Sequence, residues 1–313
     1  MSTAIEVTGV HRTYGSTTAL AGVTTSVREG SICGLLGRNG AGKTTLLSLV
    51  AGQERPSRGT VRTLGHDPVE SVEVLSRTSF VRDSQRWPDD FRIGHVLAVA
   101  PAFHAGWDAA LARDLVADLR VPARTPIKKM SRGQASSVAI VLGLASRAPL
   151  TIFDEPYLGL DATARQIFYD RLLADYAEHP RTVLLSTHLV DESESLLEHV
   201  VVLDEGRVVL DADVETARAS AWSVAGAAGA VERFVGARRV LARHALGGLA
   251  SVTVEGRLDD ALRREAREAG VELGSVSLQQ VVAALGAGPA EPAAAPGGTP
   301  TTATPAPAEG ALS

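Results

Sequence analysis

Eight consecutive residues carry the most specific chemistry in the chain. Gly37-Arg38-Asn39-Gly40-Ala41-Gly42-Lys43-Thr44 fits the spacing G-x-x-x-x-G-K-[ST]. Glycines at these positions let successive backbone N–H groups turn inward around phosphate oxygens. Lys43 supplies a point charge for β- and γ-phosphates, and Thr44 a hydroxyl for Mg²⁺. The helix that begins there aims its positive end at the anion. Candidate phosphate contacts therefore run over Gly37, Asn39, Gly40, Ala41, Gly42, Lys43, Thr44 and Thr45. Multiplying the chain's own residue frequencies gives roughly 0.004 chance matches, so glycine richness does not explain the motif.

A second group of residues suits phosphoryl chemistry. Leu150 to Phe153 is an apolar strand that ends in Asp154 and Glu155. Asp154 is placed to reach Mg²⁺, directly or through water. Glu155 is placed to orient and deprotonate an attacking water. Both roles depend on elements that bring a strand end beside a glycine loop. The pattern supplies such elements. Ala4 to Val10 alternates, Thr24 to Val27 is β-branched, and Ser31 to Leu36 is a short apolar run just before the loop. Thr44 to Ala51 reads as a helix, with Leu46, Leu47 and Val50 at helical spacing. Val61 to Leu64 and Ser79 to Val81 read as strands.

From about Ser84 the character changes to helices broken by Pro88, Pro101, Pro122 and Pro126, the clearest over Trp107 to Leu119. Ser131 then precedes a helix from Arg132 to about Ser146. Ala162 to Tyr176 follows as a helix and Thr182 to Ser186 as a buried strand. Val200 to Leu203 and Arg207 to Leu210 form a hairpin around Asp204-Glu205-Gly206. Strands alternating with helices predict a partly parallel α/β sheet covered on both faces. Beyond Val214 we expect a small α/β appendage, with a strand over Leu249 to Val254 and helices over Leu258 to Ala269 and Leu278 to Leu285. From Gly286 to Ser313, 20 of 28 residues are Ala, Pro or Gly, which predicts a disordered tail.

Composition bounds the function. The 313 residues are 45% hydrophobic, enough for a sizeable core. A net charge of −5 argues against bulk attraction to nucleic acid. One cysteine, Cys33, excludes an internal disulfide framework. No run of about 18 apolar residues is present to span a membrane as a helix. The first residues, MSTAIEVTGVHRTYG, lack the pattern of a secretory signal, so a cytoplasmic location is expected.

In this order the motifs resemble the ATP-binding subunit of an ABC transporter, over about Ala4 to Asp211. Tyr14 sits where that family stacks an aromatic on adenine. Met130-Ser131-Arg132-Gly133-Gln134 resembles the signature L-S-G-G-Q, and Leu158-Gly159-Leu160-Asp161 the D-loop. Ser186-Thr187-His188 supplies the switch histidine. The resemblance implies a P-loop NTPase fold of ABC type, a mixed sheet core over residues 1–213 with a helical subdomain at about 84–147; the pattern beyond it adds a small accessory domain at 214–285. It implies ATP and Mg²⁺ as ligands, with catalytic roles for Glu155, His188 and Lys43. It also implies a head-to-tail pair of subunits, so that Ser131, Gly133, Gln134 and Asp161 of one chain complete the ATP site of the other. The remaining partner is a separately encoded integral membrane permease, which places the chain on the inner face of the membrane. An exporter is the expected direction. An importer subunit, and a soluble or regulatory ABC protein uncoupled from transport, such as one acting on ribosomes or DNA, are the alternatives.

Two positions depart from the family pattern. Arg132 replaces the first signature glycine, which predicts a working signature with altered turnover. Where the family places its Q-loop glutamine, the count reaches Asp83, and Gln85 lies two residues on. Either side chain is a candidate for Mg²⁺ or its water.

Overall fold

The computed structural model describes residues 2–82 and 85–286. Asp83, one of the two Q-loop candidates, lies outside the described residues, as does the expected tail beyond Gly286. The chain opens with the antiparallel pair β1 (Thr3–Tyr14) and β2 (Thr17–Arg28), followed by β3 (Ile32–Leu36) and α1 (Lys43–Val50). Next come β4 (Arg58–Thr63), α2 (Val72–Leu75) and β5 (Thr78–Arg82). The helical stretch is α3 (Ile93–Phe103), α4 (Ala109–Asp118) and α5 (Arg132–Ala145). Alternation resumes with β6 (Leu150–Asp154), α6 (Ala162–Glu178), β7 (Thr182–Thr187), α7 (Val190–Ser193), β8 (His199–Asp204) and β9 (Arg207–Asp213).

Six strands form the central sheet in the order β5-β6-β7-β3-β8-β9, all parallel except the last pair. Its inner strands, β6, β7, β3 and β8, are mainly apolar on both faces because both faces are covered. Along β3, Cys33 and Leu35 turn to one core, while Ile32 and Leu36 turn to the other. The first core includes Leu46, Leu47, Leu49 and Val50 of α1 and the inner face of a smaller sheet, β2-β1-β4. Each such leucine contributes about 1.5–3 kcal/mol of burial. The second core holds α5 and α6, which cover the opposite face. In α5, Val138, Ile140, Val141 and Leu144 are fully buried. Gly143 lets α5 settle on β6, since a Cβ there would lie 2.5 Å from the Phe153 ring. This packing fixes the N-terminus of α5, where the signature begins.

The mixed sheet core with its helical subdomain is as the sequence predicts, with one correction. Pro101 does not break the helix: it lies inside α3. The helix ends two residues later, at Phe103. There the missing N–H of proline removes only one bond of a terminal turn.

The C-terminal region begins with α8 (Val214–Arg218). It continues as β10 (Ala221–Ala227), α9 (Ala228–Val235), β11 (Val240–Leu246), β12 (Leu249–Glu255), α10 (Asp260–Ala269), β13 (Glu272–Ser275) and α11 (Leu278–Leu285). The strands pair antiparallel in the order β11-β12-β10-β13, a β-α-β-β-α-β arrangement with its own core around Trp222, Val224, Phe234 and Val252. α8 and α11 pack back on the domain of the central sheet. Val214, Ala217, Leu278 and Val282 belong to the same core as α5 and α6.

Cys33 is 0% exposed in β3, which is hydrogen-bonded to β7 on one side and β8 on the other. Burial pushes its thiol far above the ordinary range. The native protein is therefore expected to resist an aqueous disulfide reagent and to react fully in denaturant. Native labelling at the rate of a free thiol would show the strand to be open.

Candidate nucleotide site

The glycine loop runs from the end of β3 into α1, at the carboxyl ends of the parallel strands, where open α/β sheets bind their ligands. Gly37 has φ +145°, and a Cβ on it would lie 2.3 Å from the carbonyl oxygen of Leu203. The loop can pass β8 only with glycine at that point. The Ala41 carbonyl accepts from the Gly206 amide at 3.1 Å, so the β8–β9 turn holds the other side of the loop. Lys43, with 5% of its side chain exposed, lies back across the loop. Its Nζ donates to the carbonyls of Gly37 (2.8 Å) and Arg38 (3.1 Å). Thr44 and Asn39 are exposed and Thr45 is half-buried, with Gly40 and Gly42 in the left-handed region between them.

The two acids arrive from β6. Asp154 is 7% exposed, and its Oδ1 accepts from the Ser186 hydroxyl at 2.6 Å. The same Ser186 oxygen accepts from the Glu155 amide at 3.1 Å. Ser186 pairs with Asp154 across the β6–β7 ladder, so register alone puts it there. Glu155 sits at φ +48°, a backbone state sparsely populated by residues other than glycine. That turn places its carboxylate between two basic side chains: Oε1 lies 3.4 Å from Lys43 Nζ, and Oε2 lies 3.3 Å from His188 Nδ1. His188, at the end of β7, keeps 38% of its side chain exposed. Lys43, Asp154, Glu155 and His188 therefore meet at one place.

Other sequence candidates are placed elsewhere. Ser131 caps α5: its Oγ accepts from the Gln134 amide at 3.2 Å, and Gln134 Oε1 accepts from the Ser131 amide at 3.0 Å. Gly133 is pressed on the D-loop, where an added Cβ would lie 2.2 Å from the Gly159 carbonyl oxygen. Ser136 Oγ donates to the Leu158 carbonyl at 2.7 Å, so signature helix and D-loop are tied twice. Asp161 caps α6 through the Ala164 amide at 2.8 Å. The close approach that the signature requires falls at Gly133, one residue past Arg132. Tyr14 is 42% exposed on the β1–β2 hairpin, with the Arg12 guanidinium 4.5 Å from its ring centre and its hydroxyl on Glu54. Gln85 is half-buried in the wall of a groove with Phe80 and Trp87, and its Oε1 is buried without a hydrogen-bond partner among the described residues.

Two residues near the acids were not singled out by pattern. One is Ser186, whose signal was its place just before Thr187-His188. The other is Tyr157, 2% exposed, whose oxygen accepts from the His188 amide at 2.9 Å. Burial raises its phenol to about 12, so it is a neutral hydrogen-bonding group. The C-terminal region also reaches the site. Arg38 of the loop donates to the Gly286 carbonyl at 3.2 Å, and the Asp191 amide donates to Gln279 of α11 at 3.3 Å.

A phosphate cradle at the tip of a parallel sheet, with an acid pair opposite it and a signature helix beside it, defines a P-loop ATP-binding cassette. The comparisons with known proteins give the same class. The sequence profile of the ABC transporter family matches residues 20–158. The Nod factor export ATP-binding protein I of Ralstonia nicotianae is 32% identical over 212 residues, which are 66% of this chain and 65% of that protein. The aliphatic sulfonates import ATP-binding protein SsuB 1 of Nocardia farcinica is 32% identical over 215 residues, 69% of this chain and 84% of that one. Among solved structures, an ATP-binding subunit of an ABC transporter superposes with a TM-score of 0.61 at 26% identity, over 69% of this chain and 92% of that chain. The chain belongs to the ABC transporter family, as an ATP-binding protein.

Proposed function

We propose that this chain hydrolyses ATP and thereby powers a separately encoded membrane permease. The observation that carries the proposal is the Glu155 carboxylate, suspended between Lys43 and His188 at the mouth of the phosphate loop. Lys43 binds the β- and γ-phosphates of the substrate, and the turn after β3 supplies backbone donors. Glu155 orients water in line with the β–γ bond and takes its proton. His188 reads the γ-phosphate. Thr44 and Asp154 are hard oxygen donors of the kind that would hold Mg²⁺ along with substrate phosphates, where the ion would supply compensation for developing negative charge. The glycine loop and the signature lie on separate elements, one against Leu203, the other against Gly159, which supports completion of each ATP site by a second subunit.

A groove of about 610 Å³ separates β5 from α3 and is walled by Phe80, Gln85, Trp87, Val99 and Phe103. Phe103 is 68% exposed there and Val99 42%. An apolar helix of the permease seated in this groove touches both the sheet core and the helical subdomain, so closure of the cassette moves it. Among the described residues no helix is long and apolar enough to cross a membrane, which supports a separate spanning partner. We propose export as the direction, in line with the Nod factor export relative, and assign residues 214–285 an accessory role.

The test is recovery. Tagged chain, extracted from host membranes in detergent with ATP, is expected to bring down a stoichiometric integral membrane protein, whose sequence reads out direction. Phe103→Asp is expected to lose that protein while still binding ATP. Recovery only with ribosomes, DNA or no partner overturns the transport reading.

A further inference from the structure

Tyr157 lies two residues past Glu155 and is held to His188 at two points. Its oxygen accepts from the His188 amide at 2.9 Å and lies 3.2 Å from His188 Nδ1. The two rings meet edge to face, with centres 5.6 Å apart. Nδ1 thus has two oxygen neighbours, the Tyr157 hydroxyl and Glu155 Oε2 at 3.3 Å. They ask opposite things of the imidazole. A carboxylate can only accept, so pairing with it keeps a proton on Nδ1 and leaves Nε2 of a neutral ring with a lone pair. A lone pair facing a phosphate oxygen is repulsive. A phenol can donate. With the backbone amide already occupying its acceptor side, its proton is available to Nδ1. Nε2 then carries the ring's N–H. The Glu155 carboxylate is also compensated by Lys43 at 3.4 Å and does not depend on the histidine proton. Thr187, whose Oγ1 accepts from the Leu189 amide at 2.9 Å, is also a hydrogen-bond neighbour of the phenol.

We propose that Tyr157 is a positioning residue for the switch histidine: its hydroxyl donates to His188 Nδ1 and holds the ring as the Nε2–H tautomer, ready to donate to the γ-phosphate. The proposal rests on the hydrolytic reading above and adds to it a residue that touches no substrate. It also gives the phenol oxygen a purpose that an apolar residue at this buried position could not serve.

The full chain, ¹⁵N-labelled and without nucleotide, is measured at about pH 8, where an ordinary imidazole is neutral. Long-range proton–nitrogen spectra report which nitrogen of each of the eight histidines carries the proton, and His188→Ala identifies the signals of His188. The wild-type chain is expected to show His188 as Nε2–H. Tyr157→Phe, which keeps the ring and removes only the hydroxyl, is expected to move it toward Nδ1–H. The same variant is expected to lose about tenfold in kcat for ATP with KM changed less than about twofold. Incorporation of 3-fluorotyrosine at position 157, which keeps the hydroxyl, is expected to restore both. A wild-type His188 found as Nδ1–H overturns the proposal without any variant. So does an unmoved tautomer in Tyr157→Phe, an unchanged kcat, or a loss confined to KM. The tautomer is read without ATP. Failure of the hydrolytic reading shows separately, as a Glu155→Gln chain that still turns over.

Discussion

Glu155→Gln is expected to bind ATP with near-normal affinity and to hydrolyse it about 10²–10⁴-fold more slowly, the usual contribution of a positioned general base. The substitution is close to isosteric. It keeps the backbone amide that donates to Ser186 Oγ, and it leaves Asp154 with its own bond to the same hydroxyl. What it removes is the negative charge between Lys43 and His188. Lys43 then loses a carboxylate competitor 3.4 Å away, which favours its engagement with phosphate. Binding energy that normally drains into hydrolysis stays in the bound state, so the ATP-closed pair of subunits should accumulate. Size-exclusion chromatography with ATP and Mg²⁺ is expected to show a dimer for Glu155→Gln under conditions where the wild-type chain runs mostly as monomer. A variant with near-normal kcat removes Glu155 from the role of base. A variant that fails to bind ATP shows that the charge serves to hold the loop and not to move a proton.

The parts of this molecule that sequence alone reveals share a physical trait: their signals are local. β3, β6, β7 and β8 are buried on both faces, so each reads as a short, mainly apolar run. The phosphate loop is contiguous, and its glycines are required by nearby backbone, as at Gly37 against Leu203. Ser131 caps α5 with a partner three residues on. The C-terminal sheet is harder. β10, Ala221-Trp222-Ser223-Val224-Ala225-Gly226-Ala227, is an inner strand, yet only Trp222 and Val224 mark its face toward α9, while small Ala221 turns to the cluster of α11. The helix of Ala228–Val235 starts with no side-chain cap, so nothing in the sequence marks its beginning. Pro101 misleads for the opposite reason: a strong breaker signal is harmless one turn from a helix end. At the site, the acids were legible from their strand. The contacts that aim them were not. Ser186 and Tyr157 act across the β6–β7 ladder and across the turn that follows it, at separations of 32 and 31 residues. Arg12 over the Tyr14 ring is a neighbour that spacing alone does not disclose.

Gly133→Ala is expected to lower ATPase activity at least tenfold and to destabilise the chain by about 1–3 kcal/mol, the range for overpacking a closed contact. The reason is geometric. A Cβ at residue 133 would lie 2.2 Å from the Gly159 carbonyl oxygen and 3.0 Å from its carbon. Both are main-chain atoms and cannot rotate aside. Gly159 cannot yield easily either: at φ +81° its own added Cβ would lie 2.9 Å from the Gly133 amide nitrogen. The strain must therefore move the D-loop or the start of α5. Either motion displaces Asp161 at the head of α6 or Ser131 at the head of α5, the two groups proposed to complete a second subunit's ATP site. The Arg132 side chain borders the same contact: its Cβ and Cγ would each lie 3.1 Å from a Cβ added at Gly159. A matched control is Gly229→Ala in α9, where the added Cβ meets only the Arg233 side chain at 3.6 Å and should leave both stability and turnover near wild type. Thermal unfolding and steady-state ATPase assays of the two variants decide the matter. Equal behaviour of Gly133→Ala and Gly229→Ala would mean that signature and D-loop are not locked together. A Gly133→Ala chain of normal stability but lost turnover would place the need for glycine on the side facing the second subunit.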